Sequence, residues 1–143
     1  MSKSHGIAEA MVARLNAHLQ LAGVTAIVSR QKELANEVER KVLKAGGAAI
    51  IVQFEGFTNP NGAVSGQVTV TRRYTASIYT RPIMRDGETP ADEVVEFVAK
   101  TLHNWEMDEN ATQAAEIQVT GCDVLPDKSY LIYQLDIDCL SRL

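Results

Sequence analysis

Apolar and polar positions alternate along this chain in two periods, one of about four residues and one of two, and the switches between them mark the elements. Ile7, Met11, Leu15 and Leu19 recur every four residues with Ala8 and Val12 beside them, which predicts a helix over residues 4–21. Ser4 stands where an N-cap belongs, and Gly23 ends the run. Arg14, Asn16 and Gln20 fall off the apolar stripe. Residues 24–28 form a short β-rich run, an edge strand or an extended connection. Leu34, Val38 and Val42 predict a second helix over residues 30–45, stopped by Gly46 and Gly47.

The period then shortens. Residues 48–57 are almost continuously apolar up to Gln53, as in a central strand covered on at least one face. Residues 58–66 contain Asn59, Pro60, Asn61, Gly62 and Gly66, and read as a projecting loop. Residues 67–81 alternate: Val68, Val70, Tyr74, Ala76 and Ile78 take one face, and Thr69, Thr71, Arg73, Thr75, Ser77 and Tyr79 the other. Arg72 interrupts the apolar face, so a bulge or an overhang past the core is expected there. After a loop with Pro82 and an Asp86–Gly87 turn signal, Thr89 is the expected N-cap of a third helix, with Pro90 at its first position. Val94, Val98, Leu102 and Trp105 form its stripe. Residues 110–115 read as a linker. Two strands follow at residues 116–125 and 129–140, and in the second of them Asp136 and Asp138 oppose the face of Leu131, Tyr133, Leu135, Ile137 and Cys139.

These elements predict an α+β fold in one domain spanning residues 1–143: a mixed, mostly antiparallel β-sheet of about four to five strands, with two to three helices packed mainly on one face. Composition agrees, with 45% hydrophobic and 22% charged residues. A net charge of −4 argues against non-specific nucleic-acid binding, which draws on a basic face, and no specific nucleic acid is expected as a partner. No apolar run approaches the length of a membrane span, and the N-terminal MSKSHGIAEAMVARL lacks the apolar core of an export signal. Cys122 and Cys139, both in expected strands, read as free thiols of a reducing compartment.

Catalytic and cofactor patterns are missing from the sequence. His5, His18 and His103 have no second ligand at helical spacing, so no metal is expected. Gly46–Gly47 ends a helix and belongs to no phosphate loop, and no serine sits in a nucleophile elbow. The expectation is a non-enzyme without cofactor. Charge is more informative. The long strand and its exit carry Arg72, Arg73, Arg81 and Arg85, whereas the third helix and its exit carry Asp92, Glu93, Glu96, Glu106, Asp108 and Glu109 against Lys100. Such a basic ribbon and acidic helix suit a head-to-tail contact between copies that closes into a ring, or else two solvated faces with local ion pairs.

The succession IAEAMVARL, AAIIVQFEG, VTVTRRYTASIYTR, DGETPADEVVEFVAKTLHNWE and YLIYQLDIDCL resembles the tail-terminator, or tail-completion, proteins of long-tailed bacteriophages over roughly residues 7–140. The helix over residues 30–45 departs from that layout. The resemblance implies a structural subunit without catalytic residues. It would form a homo-oligomeric, typically hexameric, ring on the head-proximal end of the tail tube. There it would stop tube polymerisation and offer a docking face to the head–tail connector proteins. Its partners would be itself, the tail tube protein and the connector, without a membrane, and its place the virion tail, assembled in the host cytoplasm. Asn59, Asn61, Arg72, Arg73, Arg81, Arg85, Glu93 and Glu96 are the expected ring and tube contacts. Two other functions fit the same composition: a neck or head-completion protein, and a bacterial α+β domain that binds or modifies a small molecule.

Overall fold

The computed structural model describes residues 3–21, 24–28, 48–58, 69–80, 89–108, 114–125 and 130–142. Helix α1 (Lys3–His18) precedes strands β1 (Val24–Val28), β2 (Ala48–Thr58) and β3 (Thr69–Thr80). Helix α2 (Ala91–Leu102) leads into β4 (Glu106–Asp108), β5 (Ala114–Leu125) and β6 (Leu131–Arg142). All six strands make one sheet in the order β1-β2-β3-β6-β5-β4. Only the β1–β2 pair is parallel, and the other neighbours are antiparallel.

The fold is α+β, with more strands than the hydrophobic pattern predicts. The run at residues 24–28 is a paired strand, and β4 is an addition that three residues, Glu-Met-Asp, could not announce by periodicity. The helix expected over residues 30–45 lies outside the described residues.

One face of the sheet carries both helices. Ile7, Met11 and Leu15 of α1 and Val94, Val98 and Leu102 of α2 are fully buried against Ile50, Val52, Tyr74, Ala76, Ile78, Leu135 and Ile137 of the strands. Each large side chain so removed from water contributes about 1.5–3 kcal/mol, which makes this layer the main source of stability. The opposite face holds a smaller apolar cluster of Ala49 and Ile51, with Ile27, Tyr79 and Tyr130 around it. Tyr79 and Tyr130 meet edge to face at 6.0 Å. Both faces of β2 are therefore buried at its start, which explains the unbroken AAIIV run.

Two β-bulges set the phase of the strands. In β2 the register shifts between Phe54 and Gly56, so Glu55 is the extra residue. Gly56 has a φ of 122°, a conformation that any side chain would strain. In β5 the shift falls between Val119 and Gly121. The bulge expected at Arg72 is absent, because β3 pairs with β6 without interruption from Thr69 to Thr80. Arg72 stays in phase and points into the helix-covered layer.

Several positions on the strand edges are closed one backbone group at a time. On the outer edge of β1 the Asn16 side chain of α1 acts as a substitute strand: its Nδ2 donates to the Ala26 carbonyl at 3.0 Å, and its Oδ1 accepts from the Ala26 N–H at 3.2 Å. On the outer edge of β5, the Asn104 N–H donates to the Ile117 carbonyl, and the Ile117 N–H donates to the Trp105 carbonyl, both at 2.9 Å. The Val119 N–H donates to His103 Nδ1 at 3.1 Å. Helix α2 ends at Leu102, so Trp105, expected on its stripe, lies instead in the turn into β4. There it stacks under the Arg14 guanidinium, 4.7 Å from its ring centre, while Arg14 Nε donates to the Thr101 carbonyl at 2.8 Å. Arg14 thus locks α1 to the C-terminal end of α2, where a cation is favoured.

Asn16→Ala strips partners from both groups of Ala26 and lowers the unfolding free energy by about 1–2 kcal/mol in a urea titration. Asn16→Asp does no better at neutral pH, since a carboxylate has no donor for the Ala26 carbonyl.

Candidate functional site

Strand alternation determines what the uncovered face presents. On β3 the residues in phase with the helix layer are Val70, Arg72, Tyr74, Ala76 and Ile78, so Thr71, Arg73, Thr75 and Ser77 project the other way. On β6 the same rule sends Gln134, Asp136, Asp138 and Leu140 to the uncovered side. The register sets Arg73 opposite Asp138 and Thr75 opposite Asp136. The β2 bulge adds Glu55, whose Oε1 accepts from Thr75 Oγ1 at 3.0 Å. The β5 bulge adds Thr120, whose hydroxyl donates to the Asp136 carbonyl at 3.3 Å. Of these, Glu55, Arg73, Thr75, Thr120, Gln134, Asp136 and Asp138 line a solvent-open groove of about 710 Å³ across β2, β3, β6 and β5.

The groove is acidic, with Arg73 against Glu55, Asp136 and Asp138. Among the described residues Arg73 makes no ion pair; the His5 Nε2–Glu9 Oε1 contact, at 2.9 Å, lies on α1 on the other side of the sheet. Leu140, 47% exposed, sits at the lower end of this face beside Thr71, Glu116 and Gln118. A charged or hydrogen-bonding partner suits such a surface better than an apolar one. Among the described residues no group of three His, Cys, Asp or Glu side chains could hold a metal ion, and no helix is long and apolar enough to cross a membrane.

The two neighbouring arginines of the expected basic ribbon separate. Arg73 is exposed, whereas Arg72 is 3% exposed and belongs to the interior. Arg72 Nε donates to Ser4 Oγ at 3.0 Å, and its Nη1 donates to the Ser141 hydroxyl. Ser4 also accepts at its carbonyl from the Tyr74 hydroxyl, at 2.7 Å. Arg72 therefore ties the first turn of α1 to β3 and to the end of β6. Its place as an intermolecular contact is corrected on that ground: a guanidinium buried under α1 cannot reach another copy. Ser4, expected as an N-cap, lies inside the first helical turn and serves as this anchor.

Glu93 and Glu96 are exposed on α2, as is Asp92. Asp92 and Glu93 stand in the first turn, where the helix dipole favours them. The helix starts one residue later than expected, with Pro90 as its N-cap. The acidic face of α2 and Arg73 thus lie on opposite sides of the sheet. Asn59, Asn61, Arg81 and Arg85 lie outside the described residues.

Neither cysteine is in a disulfide, and the two do not face each other, since Cys122 pairs in register with Leu135 and Cys139 with Ile117. Cys139 is buried and Cys122 exposed. Burial first, and then the charges of Asp123 and Asp136, push the Cys122 thiol above its usual value. Beyond Cys122 the strand carries two more exposed apolar residues, Val124 at 57% and Leu125 at 37%. This end of β5 escaped the sequence reading because a strand pattern does not reveal where a neighbour stops.

No protein-family model and no curated protein sequence matches this chain.

Two measurements check this geometry. Arg72→Ala destabilises the fold by about 2–4 kcal/mol through lost packing and hydrogen bonds, while Arg73→Ala stays within about 0.5 kcal/mol in the same urea titration. The raised Cys122 pKa means less thiolate at any given pH. Near pH 8 the folded protein is therefore alkylated more slowly at Cys122 than the urea-unfolded chain, and the folded rate rises at higher pH than the unfolded one.

Proposed function

We propose that this chain is a structural subunit of virion assembly, which caps the head-proximal end of a bacteriophage tail tube as a homo-oligomeric, hexameric ring. In this role it stops tube polymerisation and offers a docking face to the head–tail connector. It acts by surface complementarity and without catalysis or cofactor, in the virion tail after assembly in the host cytoplasm. The order of elements and their hydrophobic pattern, which resemble the tail-terminator proteins, suggest the role. The observation that carries it is Arg73: an exposed guanidinium without an ion pair among the described residues, on a broad charged sheet face. A surface of that shape and charge favours a macromolecular contact over an enclosed ligand.

The charged contact between copies narrows accordingly. Arg73 of one copy meets the Glu93–Glu96 face of α2 on the next, and Arg72 takes no part. Because Arg73 and α2 lie on opposite sides of the sheet, one copy cannot satisfy both with itself, and a head-to-tail arrangement follows. Rim charges of this kind act mainly on encounter and register, so the contact weakens with salt.

Negative-stain electron microscopy of the concentrated protein provides the test. Rings are expected for the parent chain, and Arg73→Glu removes them while the circular dichroism spectrum is unchanged. Rings that persist in Arg73→Glu rule out the charged contact. Tail tubes that grow to unlimited length in the presence of this chain, when a tail-tube protein from the same genome is polymerised, rule out the capping role.

A further inference from the structure

Some edge positions of the sheet are closed by side chains or by the turn into β4. Asn16 closes Ala26 on β1, and Asn104, Trp105 and His103 close Ile117 and Val119 on β5. Strand β4 covers only Ala114, Ala115 and Glu116. Past the bulge, β5 continues through Cys122, Asp123, Val124 and Leu125, and among the described residues nothing pairs with it on the side away from β6. The direction of its backbone groups follows from the ladder. Ile117 and Val119 donate outward, and the bulge restores the same phase to the partners of Leu135 and Tyr133, which are Cys122 and Val124. The N–H and C=O of Cys122 and Val124 therefore point away from β6, and the side chains of Asp123 and Leu125 lie on the uncovered face.

We propose that this open segment is a docking edge for an extended polypeptide strand of another protein, one that sets a Lys or Arg against Asp123 and apolar residues against Val124 and Leu125. Three observations support it. Outward-pointing backbone groups offer the hydrogen bonds of an added strand. Val124 and Leu125, exposed at 57% and 37%, offer apolar contacts on both faces of that strand. Asp123, with Asp136 close enough to act on the same Cys122 thiol, makes the local field negative, so the added strand must bring a cation.

A second copy of the same edge is a poor occupant. The antiparallel self-pairing that uses both outward residues of each chain sets Cys122 against Val124 and Asp123 against the second copy's Asp123. Like charges directly opposite each other on neighbouring strands are destabilising. The docking edge does not depend on the ring: Arg73 and α2 are elsewhere on the molecule, and either reading stands if the other fails.

The test uses the full chain and a fluorescein-labelled peptide, Thr-Val-Lys-Val-Val-Thr, with Thr-Val-Glu-Val-Val-Thr as its counterpart. The Lys peptide is expected to bind at least about fivefold more tightly than the Glu peptide and to slow alkylation of Cys122. Asp123→Lys reverses the preference. Val124→Pro removes an outward N–H that the ladder to β6 does not use, so it abolishes binding while the circular dichroism spectrum and urea midpoint hold. Equal binding of the two peptides, binding that survives Val124→Pro, or no binding at about 1 mM peptide overturns the proposal. A disulfide between Cys122 residues of two copies, formed under mild oxidation together with concentration-dependent sedimentation, also overturns it and assigns the edge to self-association.

Discussion

The pairing of β3 with β6 is the constraint on which the rest of the molecule depends. Twelve residues of each strand run antiparallel without a break, from Thr69 opposite Arg142 to Thr80 opposite Leu131. A slip of one residue would turn Tyr74, Ala76 and Ile78 out to solvent and bring Arg73 and Thr75 under the helices. The helices fix the choice, because Val94, Val98 and Leu102 and the α1 stripe find an apolar surface in only one register. Core and groove are thus two products of one alternation. The acidic face exists because every second residue of the same strands is committed to the core.

Polar contacts on the helix side place α1 more specifically than burial alone could. Arg72 and Tyr74 meet Ser4 at one end of the helix, and Asn16 meets Ala26 at the other. A helix held only by Ile7, Met11 and Leu15 could slide along the sheet at modest cost, since dispersion contacts are not directional. Hydrogen bonds to defined atoms at both ends remove that freedom. A buried guanidinium is expensive to dehydrate, and Arg72 reduces the penalty through the hydroxyls of Ser4 and Ser141.

Much of this was legible in the sequence. The four-residue spacing of Ile7, Met11 and Leu15 gave the buried stripe of α1, and the alternation through Tyr74, Ala76 and Ile78 gave the inner face of β3. The two-fold phase of β6 also placed Asp136 and Asp138 opposite the core. The phase of Arg72 was visible too, and the difficulty lay in its interpretation. A charge on an apolar face signals either a break in the strand or a satisfied interior cation. The deciding partners, Ser4 and Ser141, lie 68 and 69 residues away and carry no pattern of their own. The bulges were hidden for a related reason: an extra residue in a strand is defined by what stands opposite, as Glu55 is by Tyr74 and Arg73. Strand β4, three residues long, is held by its neighbour and has no intrinsic signal. The edge caps need an element's position in space before Asn16 or His103 acquires a role.

The bulge in β2 has a consequence for how this chain can vary in length. The ladder is regular on both sides of Glu55, with Phe54 opposite Tyr74 and Gly56 opposite Arg73. Removing that single amino acid would leave every flanking partner unchanged and simply straighten the strand. The position works like an expansion joint: a codon can be lost there without throwing the rest of the reading out of step, whereas the same loss in β3 would invert half of the sheet.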